Sequence, residues 1–100
     1  MEHVRLDGQR WFDVIAGNEN AQAAVMTLPA GETTGGPDND HAESDQWLYV
    51  VDGAGEATVE GRDVALSAGD LVRIDAGETH EIRAGDRALE TLNLYVPPEY

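Results

Sequence analysis

The segment "QWLYVVDG", from Gln46 to Gly53, is the clearest indication of the fold in this sequence. Aromatic and β-branched residues are enriched in strands, and the Asp-Gly pair at its end is a strong turn signal. Successive side chains of a strand point to opposite faces. One face of this strand carries Gln46, Leu48 and Val50, and the other carries Trp47, Tyr49 and Val51. A glutamine in line with Leu48 and Val50 is expected to point into an apolar interior, where it needs a hydrogen-bond partner or a ligand.

Short apolar runs separated by turn residues recur along the rest of the chain, at intervals of roughly 8–12 residues. They are "RWFDVIA" (10–16), "AQAAVMTLPAG" (21–31), "GEATVEG" (55–61), "RDVALSAGD" (62–70), "LVRIDAGETHEIRAGD" (71–86, two strands) and "ALETLNLYVPP" (88–98). The turns at Asp52-Gly53 and Glu60-Gly61 predict consecutive hairpins. No long stretch has helical spacing. Eight or nine strands predict one all-β sandwich or barrel over residues 1–100, with its core at about 21–96 and residues 1–20 adding an extra strand.

The charge of the chain is strongly negative. Its 100 residues contain 20 Asp and Glu against six basic residues, for a formal net charge of −14, and the sequence contains no lysine. Such a surface repels nucleic acids and anionic membranes, so neither is expected as a partner. Concentrated salt screens repulsion between like charges. The composition therefore predicts a halophilic protein from a salt-accumulating cytoplasm, with a merely acidic protein as the alternative.

Two further features of the sequence narrow the class of protein. The chain has no cysteine, so it can form neither a disulfide nor a thiolate site. No apolar run approaches the ~18 residues of a transmembrane helix, and "MEHVRLDGQRWFDV" lacks the apolar centre of a signal peptide. We therefore expect a cytoplasmic protein.

Candidate functional residues are found in two segments. His41 precedes the strand that Gln46 opens, and His80 follows the turn at Ala76-Gly77. Neutral imidazoles are ligands for Zn, Cu, Fe and Ni, and oxygen donors extend this range to Mn. The alternative for each histidine and for Gln46 is a buried polar side chain that is satisfied by its neighbours. The spacing alone does not bring His41 and His80 together.

These two segments resemble the two motifs of the cupin superfamily. The second family motif, G-x5-P-x-G-x2-H-x3-N, corresponds to Gly69-x5-Asp75-x-Gly77-x2-His80-x3-Ala84. The first, G-x5-H-x-H-x3-4-E-x6-G, corresponds to Gly35…His41…Gln46-x6-Gly53. The resemblance covers about residues 25 to 95. It implies a jelly-roll, or double-stranded β-helix, barrel.

The resemblance also implies a metal site, with departures from the family pattern. Metal-binding cupins typically use three histidines and a glutamate, and here Gln46 stands at the glutamate position. The preferred alignment makes His41 the second histidine and puts Asn39 at the first. The other alignment makes His41 the first histidine of the motif and puts Glu43 at the position of the second histidine. In that alignment the segment between Glu43 and Gln46 is one residue shorter than the motif allows. The expected metal ligands are His41, Gln46, His80 and Asn39, around a divalent transition metal (Zn, Mn, Fe or Ni).

The resemblance leaves three functions open. The first is a metal-dependent enzyme of dioxygenase, isomerase or lyase type, with Glu43 as the candidate catalytic base. The second is a non-catalytic module that binds a sugar or organic acid without metal, and the third is an interaction protein with a degenerate pocket. Small cupins often form homodimers. Trp47 and Tyr49, which face away from Gln46, are therefore expected to be covered by a second subunit or by "RWFDVI".

Overall fold

The computed structural model describes residues 1–8, 10–35 and 40–100. Eight β-strands lie in this part of the chain, and none of its residues is helical. The strands are β1 (Phe12–Gly17), β2 (Gln22–Leu28), β3 (Asp45–Asp52), β4 (Ala54–Val59), β5 (Arg62–Ser67), β6 (Leu71–Ile74), β7 (His80–Ala84) and β8 (Leu89–Val96). The described residues thus contain no helix that could span a membrane.

The strands form two antiparallel sheets. One has the order β1-β2-β8-β3-β6, and the other has the order β5-β4-β7. Alternate side chains of both sheets point inward and form one apolar core, which includes Leu28, Leu48, Val50, Ala57, Leu66, Ile74, Ile82 and Leu89. Burial of this apolar face is the main favourable term in folding. The two sheets confirm the all-β prediction.

The two turns that the sequence predicted as hairpins differ. Glu60 and Gly61 join β4 to β5 as a two-residue hairpin, and both have positive φ, as a type I′ turn requires. The prediction of a hairpin at Asp52-Gly53 is wrong, because β3 and β4 belong to different sheets. Gly53 has a φ of 92°, and a Cβ there would lie 2.1 Å from the carbonyl oxygen of Ala88. This glycine therefore lets the chain cross from one sheet to the other at a crowded corner.

The outward face of β3 carries Trp47 and Tyr49. Trp47 is half-buried, and the guanidinium of Arg73 on β6 lies 5.7 Å from the centroid of its ring. Tyr49 is exposed. The segment "RWFDVI" does not cover either aromatic, because β1 pairs with β2 at the far edge of the sheet. The outward face of β3 is therefore left open within the described chain.

Candidate metal and ligand site

Strands from the two sheets bring the predicted site residues to one end of the barrel. Gln46 is the first inward side chain of β3, His80 is the first inward side chain of β7, and both are buried. His41 lies in the loop before β3. Its carbonyl oxygen accepts a 2.8 Å hydrogen bond from the amide of Gly77, in the turn before β7. This bond ties together the two loops that carry the histidines.

The three residues line a cavity of about 490 Å³. Apolar and aromatic side chains form much of its wall, with polar groups between them. The lining residues are Trp11, Phe12, Met26, Thr34, Asp40, His41, Gln46, His80, Ile82, Tyr95, Glu99 and Tyr100. An apolar cavity of this size with a few convergent polar groups is typical of a small-molecule site.

The two imidazoles lie next to each other, with ring centroids 5.0 Å apart. Nδ1 of His80 is 3.3 Å from the carbonyl oxygen of Glu78. A carbonyl only accepts, so the Nδ1 of neutral His80 carries the proton and its Nε2 keeps a free lone pair. Burial lowers the pKa of His80, and the neighbouring His41 lowers it further, against the opposing effects of the Glu78 hydrogen bond and of Asp40. His80 is therefore neutral at pH 7, as a metal ligand must be.

A chain of hydrogen bonds fixes the orientation of the Gln46 amide. The Thr91 hydroxyl donates to the carbonyl oxygen of Met26 at 2.8 Å, and Oγ1 of Thr91 accepts from Nδ2 of Asn93 at 3.0 Å. Oδ1 of Asn93 then accepts from Nε2 of Gln46 at 2.8 Å. An amide nitrogen can only donate and an amide oxygen can only accept, so this series of hydrogen bonds uses the Nε2 of Gln46 and leaves its Oε1 as an acceptor.

Oε1 of Gln46 is a buried acceptor without a hydrogen-bond partner among the described residues. Buried polar atoms are nearly always paired, so such an exception needs an explanation. Gln46 lines the cavity together with both histidines. A metal ion or a ligand donor bound in the cavity would satisfy this oxygen.

Sequence reasoning missed several polar residues of the site, among them Asn93, Tyr95, Glu99 and Tyr100. Asn93 is fully buried on β8, where Thr91, Asn93 and Tyr95 point inward while Leu92 and Leu94 point outward. This reversed alternation of polar and apolar residues was the available signal. Glu99 and Tyr100 belong to the segment after β8, which no motif covers. Their position depends on tertiary contacts alone.

The segment after β8 is held against the cavity by side chains from two other elements. The Ser44 hydroxyl donates to the carbonyl oxygen of Pro97 at 2.7 Å and lies 3.1 Å from Oε2 of Glu99. Oε1 of Gln22 accepts from the amides of Glu99 and Tyr100. Oε1 of Glu99 lies 3.2 Å from Nδ1 of His41. A carboxylate therefore reaches the site from outside both motifs.

Tyr95 and Tyr100 close the site with their rings. Their centroids are 5.2 Å apart, and the centroid of Tyr95 is also 5.2 Å from that of His41. Burial raises the pKa of the Tyr95 hydroxyl, and burial together with nearby Glu99 raises that of Tyr100. Both phenols are protonated at neutral pH, and because their hydroxyls share one hydrogen bond, the pair keeps one hydroxyl hydrogen to donate to a bound molecule.

The other two predicted site residues are not brought to this cluster. Glu43 is exposed and does not line the cavity. Its role as a catalytic base stays a prediction without geometric support, since a base must lie within hydrogen-bonding reach of its proton. Asn39 lies outside the described residues.

The residues present fit a weakly held divalent metal. Two imidazole nitrogens and the Gln46 amide oxygen are neutral donors of kinds that first-row metals accept. Within residues 1–8, 10–35 and 40–100, no three His, Cys, Asp or Glu side chains are arranged to hold a metal ion. An ion here would therefore depend on the orphaned oxygen of Gln46 and on ligand or water for its remaining positions.

The family model of the cupin domain matches residues 24–95. The chain belongs to the cupin family. The strands described above are thus those of the cupin barrel, as the two motifs predicted. No curated protein sequence matches the chain.

Solved cupin structures resemble the whole barrel. A protein from Bacillus halodurans is 25% identical with a TM-score of 0.83, over 90% of this chain and 72% of that one. KdgF from Halomonas sp. is 26% identical with a TM-score of 0.80, over 96% of this chain and 87% of its own. A predicted oxalate decarboxylase from Thermotoga maritima is 28% identical with a TM-score of 0.77, over 87% of this chain and 79% of its own.

Proposed function

We propose that this cupin binds a small organic molecule in the barrel cavity, next to a divalent transition metal held by His41, His80 and Gln46. The observation that carries the proposal is the buried Oε1 of Gln46, which has no described partner and shares the cavity with two imidazoles. Cupins often bind transition metals. A metal bound here would act as a Lewis acid and as a template for the ligand.

The charges around the cavity restrict the ligand. None of the six arginines lines the cavity. Four of them form ion pairs with carboxylates elsewhere: Arg83 with Glu56 and Glu81, Arg73 with Asp75, Arg10 with Asp7 and Asp13, and Arg87 with Asp52. The other two, Arg5 and Arg62, are exposed. Asp40 and Glu99 add negative charge to the wall. An anionic ligand would therefore need the metal as its counter-charge, whereas a neutral ligand could bind to the aromatic wall and the tyrosine hydroxyls.

Metal content measured by elemental analysis tests the proposal. The protein is purified at high salt without chelator or nickel affinity resin, together with His80→Ala and with His3→Ala as a matched control. His3 is exposed in the N-terminal segment and is not one of the residues that line the cavity. We expect near-stoichiometric metal in the wild type and in His3→Ala, and none in His80→Ala. Equal metal in all three would refute this ligand set.

A binding module without metal is the second candidate. It is supported by the aromatic share of the wall, since Trp11, Phe12, Tyr95 and Tyr100 are four of the six aromatic residues of the chain. The wild type would then contain no metal even after soaking with Mn, Fe, Ni and Zn. In that case a hydrogen-bond donor of the ligand would satisfy Oε1 of Gln46. Oxidation, isomerisation and lyase chemistry would then be dropped as candidate activities.

A homodimer is also proposed, through the outward face of the larger sheet. Tyr49, Leu71, Leu94 and Val96 lie on this face with exposed fractions of 42%, 59%, 42% and 42%. A contiguous exposed apolar patch on a soluble protein often marks an interface. Light scattering in high salt should give the mass of two chains for the wild type and of one chain for Leu71→Glu. A monomeric wild type would refute the dimer.

A further inference from the structure

The two histidines of the site are oriented by different means. Nδ1 of His80 faces a backbone carbonyl two residues away in its own turn. Among the described residues, Nδ1 of His41 faces the side chain of Glu99, with Oε1 at 3.2 Å. This separation is within the range of an N–H···O hydrogen bond. The orientation of His41 therefore depends on a residue from the segment after β8.

The carboxylate of Glu99 is itself held in place. Its second oxygen lies 3.1 Å from the Ser44 hydroxyl, which also donates to Pro97. Its backbone amide donates to Gln22. The His41 and Glu99 side chains are only 15% and 27% exposed. A side chain fixed from both ends and largely shielded from water is suited to orienting a neighbour.

We propose that Glu99 is the positioning residue of His41: its carboxylate accepts the Nδ1 proton and leaves Nε2 as the lone-pair donor in the cavity. Metal-bound histidines commonly donate their other N–H to a carboxylate in this way. Glu99 would also supply the negative charge that Gln46 does not. In this proposal the neutral amide of Gln46 takes the place of the family's glutamate, and the carboxylate of Glu99 supplies the missing charge from the segment after β8.

Two variants of Glu99 and one matched control test this inference. Glu99→Leu removes the acceptor, and Glu99→Gln keeps an acceptor but removes the charge. Glu19→Gln removes one negative charge in the exposed turn between β1 and β2, so it controls for the change in net charge. Melting temperatures establish that each variant is folded before binding is measured.

The first readout is the tautomer of His41 in the metal-free protein, from long-range ¹H–¹⁵N correlations of the imidazole ring. We expect Nδ1–H in the wild type and in Glu19→Gln, and a shift toward Nε2–H in Glu99→Leu. A general loss of stability would not change the tautomer in a folded variant. An unchanged tautomer in Glu99→Leu would overturn the proposal. If Glu99→Leu does not fold, Glu99→Gln takes its place, and we expect the Nδ1 resonance of His41 to move while that of His80 does not.

The second readout is Zn²⁺ affinity by titration calorimetry. Loss of such an outer partner typically weakens metal binding by about 10–100-fold, and we expect this loss for both Glu99 variants relative to Glu19→Gln. Equal affinities would overturn the role of Glu99 at the metal. This readout rests on the proposed function, whereas the tautomer does not. A wild type that binds no Zn²⁺ would refute the metal while the tautomer still decides the role of Glu99.

Discussion

The two ends of the barrel are built by the same strands, yet their inward side chains do different things. At the cavity end, the inner faces of β3, β7 and β8 present Gln46, His80 and Tyr95. At the packed end, the same faces of β3 and β8 present Val50 and Leu89, which are fully buried in the apolar core. The change from polar to apolar takes place within a few residues of each strand.

The difference shows how the barrel separates stability from binding. Apolar contacts at the packed end remove surface from water and close the two sheets on each other. At the cavity end, polar groups are buried and one acceptor is left without a described partner. That arrangement costs stability unless a ligand is present. We therefore expect substitutions at the packed end to change the free energy of unfolding, and substitutions at the cavity end to change binding.

Leu89→Ala should have the largest effect on stability. Leu89 is fully buried and pairs in register with Leu28 on β2. Truncation of such a leucine typically costs about 2–5 kcal/mol, because it removes buried surface and leaves a cavity. Urea unfolding should show this loss, while the Zn²⁺ affinity of the folded variant should stay unchanged.

The control for this substitution is Val64→Ala on the edge strand β5, where the valine is 45% exposed. Surface substitutions of this kind usually change stability by less than about 0.5 kcal/mol. If Leu89→Ala weakened Zn²⁺ binding as strongly as a cavity substitution does, the two ends would not be independent.

Gln46 should show the opposite behaviour. Gln46→Glu replaces the neutral amide oxygen with a carboxylate at the same position, so Zn²⁺ should bind more tightly than in the wild type. Gln46→Leu removes the donor and should abolish or strongly weaken binding. Titration calorimetry then compares an expected gain in Zn²⁺ affinity, for Gln46→Glu, with an expected loss, for Gln46→Leu. Equal affinities for the two would show that the Gln46 side chain does not contact the metal.

Salt should act on the charged surface more than on either end. At about 1 M salt the screening length is ~3 Å, compared with about 10 Å at 0.1 M. Repulsion among the 20 acidic residues then falls, so the melting temperature should rise between about 0.05 and 2 M salt. Sodium sulfate and sodium chloride at equal ionic strength would distinguish screening from the exclusion of salt from apolar surface. A flat melting temperature would refute the halophilic interpretation.

Acidification should cause the smallest change in stability of these experiments, and His80 at the cavity end should be responsible for it. Burial lowers the pKa of His80 below the value of about 6.5 in the unfolded chain. The unfolded state therefore takes up the proton first, and stability falls progressively as the pH drops from about 6.5 towards the lower pKa of His80 in the folded protein. The melting temperature of the metal-free wild type should fall relative to His80→Leu between pH 7.5 and 5.

In the pH experiment the carboxylates that both proteins share cancel in the difference. His3→Ala serves as the control: His3 is exposed, so this variant should show the same change in melting temperature with pH as the wild type. A constant difference between the wild type and His80→Leu over this range would mean that His80 does not titrate with folding.

Local patterns in the sequence were enough to predict the strands, their inward faces and the family. The alternation in "QWLYVVDG" predicted that Gln46 points inward with Leu48 and Val50, as it does. The spacing of the two motifs around His41 and His80 predicted the cupin barrel. These signals are local, because side-chain period and turn chemistry act over a few residues. The hairpin expected at Asp52-Gly53 was wrong for a related reason: a turn signal shows where the chain bends but not which strand it joins next.

Which polar residues meet depends on contacts between elements that are far apart in the sequence. Asn93 and Glu99 reach the site through pairing of β3 with β8 and through the contact of Ser44 with Pro97 and Glu99, across more than 40 residues of sequence. No local pattern encodes such contacts, because they depend on how the sheets pack. The same packing leaves Glu43 in solvent and orients the Gln46 amide with its free oxygen as the last atom of the Thr91–Asn93 chain.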